Sequence, residues 1–92
     1  MDFEWDSAKA QSNLTKHGVS FELAIRVWDD PLHVILFDRV SNGEERWHAI
    51  GTIGGIVVLV VVHSYRGNGI IRIIGAQKAT AQERRRYEEE IL

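Results

Sequence analysis

Three arginines in strand-like segments are the residues of this chain that could do chemistry together. Arg46, Arg66 and Arg72 each lie in or beside an apolar run. A charged side chain is costly to bury in such a segment unless it has a partner or reaches water. Guanidinium groups that converge on one face of a sheet can bind a phosphate and stabilise a pentacovalent transition state. The alternative for any single arginine is a sheet-edge position from which its charge extends into water.

The segment 43–51 reads as a strand with charged residues at its entrance. Because side chains alternate between the two faces of a strand, one face carries Glu44, Arg46 and His48, and the other carries Glu45, Trp47 and Ala49. A purely structural, half-buried strand would place apolar residues along one whole face. The pattern therefore fits a sheet that exposes one end to a polar ligand, and a solvated hairpin is the alternative.

Histidine is the usual general base near neutral pH, and His17 is the candidate on the first predicted helix. It lies in the last turn, where an imidazolium favours the helix C-terminus, so a capping or core role is the alternative. No two histidines have the helical spacing of metal ligands, and no compact set of aspartate, glutamate and histidine appears. The sequence therefore predicts no metal site and no cofactor.

Length and composition restrict the class of protein. A chain of 92 residues supports one domain, residues 1–92, and it contains no cysteine and hence no disulfide. The net charge of −2 argues against binding nucleic acid through bulk charge, so any contact must depend on a local cluster. The apolar run Ile56–Val62 is too short to span a bilayer, and without a signal peptide a cytoplasmic location is expected.

A short strand-like opening at Phe3-Glu4-Trp5 and two helices are expected to precede a run of strands. Asp6 and Ser20 are placed to cap the helices, and Gly18 to end the first one with a positive φ. The strands are predicted at 33–38, 46–53, 56–65 and 70–76, and their short links imply antiparallel meander pairing. A capping box from Thr80 to Glu83 opens a final helix. This order predicts an α+β domain in which 56–65, apolar without alternation, is a central strand covered on both faces.

The last hairpin has two possible registers. A two-residue turn at Asn68-Gly69 would pair Tyr65 with Arg72, so that His63 shares their face. A three-residue loop that also includes Gly67 would instead place Ser64, Arg66 and Arg72 on one face. The Asn-Gly pair favours the first register, and the gathering of two arginines favours the second.

The ordered set of motifs resembles the BrnT family of bacterial toxins. The set includes Phe3-Glu4-Trp5-Asp6, Lys9, Asn13, Lys16-His17-Gly18-Val19-Ser20-Phe21, Asp30-Pro31, Glu44-Glu45-Arg46-Trp47, Gly51, Val61-Val62-His63, Arg66, Arg72-Ile73-Ile74, Ala76, Ala79, Glu83 and Tyr87. The resemblance implies a RelE-like fold, with two N-terminal helices packed on an antiparallel sheet and a C-terminal helix that closes it. It also implies a type II toxin–antitoxin system whose BrnA-like antitoxin binds operator DNA through a ribbon-helix-helix domain.

Carried over by position, the resemblance implies a ribonuclease site. Either His17 or Glu45 would take the proton from a ribose 2′-hydroxyl, and Arg46 and Arg72 would neutralise the phosphorane. Arg66 or Lys16 would hold the RNA backbone. The substrate-binding candidates at the other matched or neighbouring positions are Lys9, Lys16, Trp47 and Lys78.

One position departs from the family pattern. The family usually has Ser-Ala-Arg after the last strand, whereas this chain has Gly75-Ala76-Gln77. Lys78 could offset the missing arginine. The rival expectation is a catalytically weak or inactive toxin homologue that still binds an antitoxin and co-represses its operon.

Overall fold

The computed structural model of the protein describes residues 1–90, which form five strands and three helices. The predicted domain also includes Ile91 and Leu92, which lie outside the described residues. The elements in chain order are β1 (Asp2–Glu4), α1 (Ser7–His17), α2 (Phe21–Ala24), a 3₁₀ segment (Ile25–Asp29), β2 (Val34–Ser41), β3 (Glu44–Ile53), β4 (Val57–Gly67), β5 (Ile70–Lys78) and α3 (Ala81–Glu90).

The helix ends are formed by the residues that the sequence indicated. The Asp6 carboxylate accepts from the Ala8 amide at 2.8 Å, and Gly18 ends α1 with a φ of 70°. In the capping box, the Thr80 amide donates to Glu83 Oε1 at 2.8 Å while the Glu83 amide donates to Thr80 Oγ1 at 3.2 Å. These local predictions are confirmed. Each of them depends only on residues a few positions apart, so the sequence was sufficient to make them.

The five strands form one mixed sheet in the order β1-β5-β4-β3-β2. Strands β2 to β5 pair antiparallel as the short links predicted, but β1 lies parallel to β5. The expectation of an antiparallel sheet is therefore wrong at this edge. The reason is that β1 pairs with residues about 70 positions away, Glu4 lying opposite Arg72, and short-range turn signals carry no information about such a contact.

Helices cover both faces of the sheet. On one face, called here the α1–α2 face, Ala49, Leu59, Val61 and Ile73 pack in a core with residues of α2 and the 3₁₀ segment. On the other face, Ile50, Val58 and Val60 pack against Tyr87 of α3. The middle strand β4 is buried from Val58 to Val61, which confirms the predicted central strand covered on both sides over this part. At the predicted ends the expectation is wrong, because Ile56 precedes the strand and is exposed, and Val57 and Tyr65 are exposed too.

A buried carboxylate ties α3 to the rest of the fold. Asp30, 8 % exposed, accepts from the Tyr87 hydroxyl at 2.7 Å, from the Thr52 amide at 2.9 Å and from the Leu32 amide at 2.8 Å. Burial alone would raise the pKa of Asp30, but these hydrogen bonds outweigh it and hold the pKa below its usual value. Burial and the bond to Asp30 raise the pKa of Tyr87.

Candidate functional site

Two arginines and a serine form a row across three strands on the face that α3 partly covers. Arg72 on β5 lies opposite Ser64 on β4. Because Trp47 lies opposite His63, the next position of the same antiparallel register places Arg46 of β3 on the other side of Ser64. This face, beyond the end covered by α3, is called here the arginine face.

Two glutamates join Arg46, Arg66 and Arg72 into one chain of ion pairs. Arg72 Nη1 lies 2.6 Å from Glu4 Oε2, and Arg66 Nε lies 3.7 Å from the same oxygen. Arg66 Nη1 lies 3.2 Å from Glu44 Oε2, and Arg46 Nε lies 3.7 Å from Glu44 Oε1. The structure thus brings the three sequence-predicted arginines together, with one more guanidinium than carboxylate.

A bulge in β4 allows Arg66 to take part. Asn68 and Gly69 have positive φ angles of 54° and 76°, as a two-residue turn requires, and Gly67 pairs with Ile70. The register then shifts, so that Tyr65 pairs with Ile71 and Arg66 is the extra residue. The hairpin therefore combines the two-residue turn of the first predicted register with the pairing of Ser64 and Arg72 that the second one gives. A β-bulge of this kind changes the direction of the side chain at the extra residue, here Arg66.

His48 continues the arginine face toward α3. It lies two residues after Arg46 on β3, and its Nε2 lies 3.4 Å from Asp38 Oδ2. Asp38 is the extra residue of a second bulge, because Phe37 pairs with Trp47 while Arg39 pairs with Arg46. A groove between the sheet and α3 is lined by Leu36, Phe37, His48, Ile50, Gln82, Glu83 and Arg86. An imidazole beside a carboxylate, on the face that carries the arginines, is suited to proton transfer.

Glu45 and Trp47 lie on the opposite face, as the alternation predicted. The Trp47 ring packs edge-on against Phe37 at 5.3 Å and against Tyr65 at 6.0 Å between centroids. Glu45 is exposed and pairs with Val40 in the neighbouring strand. The sheet thus separates both residues from the arginines.

His63 is part of the packed interior. Its ring lies 4.9 Å from that of Trp28, and its nitrogens lie 3.2 Å from the Val61 carbonyl oxygen and 3.2 Å from the Tyr65 hydroxyl. Burial lowers the pKa of His63 to about 4, so the imidazole is neutral at neutral pH. Its role is structural.

His17, Lys9 and Lys16 lie together on α1, away from the ion-pair chain. They line a shallow pocket with Ser12, Asn13 and Ile74. The Asn13 side chain fixes α1 to β5, because it donates to the Ala76 carbonyl at 2.8 Å and accepts from the Ala76 amide at 3.1 Å. No ion pair within the described part of the chain joins His17 to the arginines.

Gln77 and Lys78 point to different faces. Gln77 pairs with Val60, which packs against α3, whereas Lys78 pairs with Leu59 of the α1–α2 core. Gln77 therefore shares the face of Arg72, because a bulge at Ile74 restores the alternation, and it lies about 13 Å further along β5. Lys78 does not share it, so its backbone position gives no support to the idea that it offsets the missing arginine.

Comparison with known proteins supplies the family. The family profile described as "Ribonuclease toxin, BrnT, of type II toxin-antitoxin system" matches residues 5–83. The chain belongs to the BrnT family. Among solved structures it is similar to the ribonuclease toxin BrnT of Brucella abortus, with 25% identity over 87% of this chain and 97% of that chain and a TM-score of 0.66. No curated protein sequence matches the chain.

Membership of the BrnT family makes this a protein of the ribonuclease-toxin class, and a type II system implies an antitoxin partner. Within residues 1–90, no group of three or more histidine, cysteine, aspartate or glutamate residues is arranged to hold a metal ion. No helix in the same range is long and apolar enough to cross a membrane.

Sequence reasoning missed four residues of the arginine face. Glu44 and His48 could have been identified from the sequence, because strand alternation alone placed both on the face of Arg46. Ser64 shares the face of Arg72 in the second of the two hairpin registers that the sequence left open, and the structure has this pairing. Glu4 carried no signal, because its place depends on the parallel pairing of β1 with β5.

Proposed function

We propose that this BrnT-family protein is an endoribonuclease that cleaves RNA without a metal ion. The 2′-oxygen attacks the adjacent phosphorus, and the bond from phosphorus to the 5′-oxygen breaks. The products are a 2′,3′-cyclic phosphate and a 5′-hydroxyl, and the proton lost by the 2′-hydroxyl is balanced by the one gained at the 5′-oxygen. The observation that carries the proposal is the gathering of three arginines on one sheet face in a member of a ribonuclease family.

The three arginines divide two tasks between them. Arg46 and Arg72 flank the position of the phosphate and neutralise the charge that develops on its oxygens in the transition state. Arg66 is half-exposed at the hairpin and holds the RNA backbone on one side of the scissile bond. Guanidinium groups suit both tasks, because they present paired donors to phosphate oxygens and keep their charge.

Proton transfer falls to His48. It shares the face of Arg46, and its Nε2 lies 3.4 Å from Asp38 Oδ2, so a carboxylate stands beside its ring. A general base must lie within reach of the proton that it removes. Glu45, on the opposite face, and His17, on α1, are weaker candidates than His48 for this reason.

A second function has its own support. Glu4 and Glu44 already occupy the guanidinium groups of the cluster, and Gln77 stands where the resembling family usually has arginine. Both features fit a toxin homologue of low activity that acts by binding its antitoxin and co-repressing the operon. Absence of cleavage by protein that still binds the antitoxin would favour this alternative.

The partner proposed for either function is a BrnA-like antitoxin with a ribbon-helix-helix domain, which contacts operator DNA on behalf of the complex in the bacterial cytoplasm. Charge complementarity mainly sets association rate and specificity. The antitoxin is therefore expected to present acidic residues toward Arg46, Arg66 and Arg72, combined with an apolar segment that supplies most of the affinity.

Product analysis tests the ribonuclease proposal. The protein, separated from co-expressed antitoxin, is incubated in EDTA with an RNA and with the same RNA carrying 2′-deoxyribose at the cleaved position. We expect a 2′,3′-cyclic phosphate from the first and no product from the second. Cleavage that stops in EDTA, or that proceeds on the 2′-deoxy substrate, would overturn the mechanism.

A pair of histidine variants tests the assignment of proton transfer. His48→Gln should lower kcat by about 10²-fold or more with little change in KM. His33→Gln is the matched control, because His33 bonds to the Asp30 carbonyl at 2.8 Å and takes no part in the proposed chemistry. Equal kcat in the two variants would assign the proton transfer to another residue.

A further inference from the structure

The hydroxyl of Ser64 is an anomaly of the arginine face. Ser64 is fully buried, yet its Oγ has no hydrogen-bond partner within residues 1–90. The buried Nε of Arg46 also lacks a hydrogen bond in this range, its distance of 3.7 Å to Glu44 being too long for one. These two atoms belong to neighbouring residues of one row, and among the described residues only Asp38 Oδ2 is in the same condition.

Buried polar atoms are rarely left unpaired, because they lose their hydrogen bonds to water on folding and gain none in the protein, which lowers stability. A strand position between two arginines would accept alanine or valine without that cost. Two unpaired polar atoms in adjacent positions indicate that their hydrogen-bond partner is a ligand.

The spacing of Arg46, Ser64 and Arg72 across the three strands suits a small ligand that contacts all three. Neighbouring strands lie about 4.8 Å apart, so the Cα atoms of Arg46 and Arg72 lie about 10 Å apart with Ser64 between them. A small residue at the centre leaves room for the two guanidinium groups to converge above it. The arginine side chains are 14% and 30% exposed, so both remain in contact with solvent while Ser64 between them is fully buried.

We propose that Ser64 forms the base of an oxyanion site in which its hydroxyl and Arg46 Nε bind an oxygen of an RNA backbone phosphate. Arg72 supplies further donors from the other side. In the free protein Glu4 and Glu44 hold the guanidinium groups, and a phosphate replaces these carboxylates as their partner, which opens access to the hydroxyl. The proposal extends the ribonuclease function and depends on it for the identity of the ligand.

Ser64→Ala distinguishes a ligand-binding hydroxyl from a structural one. Removal of an unpaired buried hydroxyl should leave the melting temperature unchanged or raise it. The affinity for a 2′-O-methyl RNA that cannot be cleaved should nevertheless fall about tenfold, and cleavage should fall at least as much. Ser41→Ala, at the end of β2, is the matched control and should change neither quantity.

The outcomes separate this proposal from the function on which it depends. If wild-type protein and Ser64→Ala bind the RNA equally, the oxyanion site is wrong even where wild-type protein cleaves. If wild-type protein cleaves no RNA but binds inorganic phosphate in a way that Ser64→Ala abolishes, the site stands and the ribonuclease function falls.

A measurement on wild-type protein covers the case in which Ser64→Ala does not fold. The Nε–H resonance of Arg46 should shift when inorganic phosphate is titrated into the protein, because this atom gains its missing acceptor. A resonance that stays in place up to saturation with the 2′-O-methyl RNA would overturn the proposal.

Discussion

Glu4 on the first strand accepts a hydrogen bond of 2.6 Å from Arg72 on the fifth, so the N-terminal strand reaches into the arginine face. The same carboxylate oxygen lies 3.7 Å from Arg66. Two of the three guanidinium groups are therefore held by one residue, which a phosphate must displace in order to bind.

Glu4→Gln should strengthen RNA binding several-fold, because the neutral amide competes less well for the guanidinium groups. The pairs are partly exposed, so the free energy of unfolding should change by less than about 1 kcal/mol. Fluorescence anisotropy with a labelled 2′-O-methyl RNA measures the affinity. Asp2→Asn, on the same strand, is the control for the change in net charge, and an equal gain in both variants would contradict a specific role for Glu4.

Arg46→Ala and Arg72→Ala should each reduce cleavage by about 10²–10³-fold and abolish growth inhibition, because each removes a donor to the transition state. The melting temperature should stay within a few degrees of wild type. Arg26→Ala changes an exposed arginine of the 3₁₀ segment and is the matched control. The assignment fails if the two cluster variants remain as toxic as this control.

Acid should destabilise the fold through His63. Its pKa in the folded protein is about 4, against 6.5 for the ordinary side chain, so the unfolded chain binds more protons between these values. The free energy of unfolding should therefore be fully present above pH 6.5 and fall by about 2–4 kcal/mol as the pH drops to 4. Asp30, whose pKa is lowered from 3.8, adds a further loss only below that value.

Urea unfolding at several pH values measures this dependence. His63→Gln should flatten the curve between pH 4 and 6.5, at the cost of lower stability at pH 7. His17→Gln, which changes an exposed histidine, should keep the wild-type slope. A wild-type curve that is flat over this interval would show that the buried imidazole is not neutral.

Gln77→Arg should lower KM for RNA and leave kcat unchanged. Residue 77 shares the face of Arg72 and lies about 13 Å from it along β5, because their partners Val60 and Ser64 are four positions apart. This is farther than the spacing of Arg46 and Arg72, so residue 77 is expected to reach the next phosphate and not the reacting one. A new guanidinium there can bind a neighbouring backbone phosphate. Lys78→Ala, on the other face, should change neither constant. A rise in kcat for Gln77→Arg would place residue 77 at the reacting phosphate instead.

The parts of the fold that the sequence predicted well are those determined by near neighbours. Asp6, Gly18 and the Thr80–Glu83 pair act within one helical turn, and the apolar run of β4 determines its own burial. The strand alternation correctly assigned faces to Arg46 and Trp47, because the backbone of β3 has no bulge between them.

The parts that the sequence could not supply depend on distant pairing or on irregular strands. The bulge at Arg66 combines two registers that appeared exclusive, and the parallel β1 brings Glu4 to the arginines. His17 carries a motif of the resembling family, yet its place on α1 apart from the ion-pair chain follows from the packing of whole elements.

The central claim is that RNA binds the arginine face. The most direct test is to titrate isotope-labelled protein with a 2′-O-methyl RNA and to map the resonances that shift. We predict shifts at the guanidinium groups of Arg46, Arg66 and Arg72 and at the ring of His48. Shifts confined to Trp47 and Tyr65 on the opposite face, or to Lys9 and Lys16 on α1, with the three arginines unchanged, would contradict the claim.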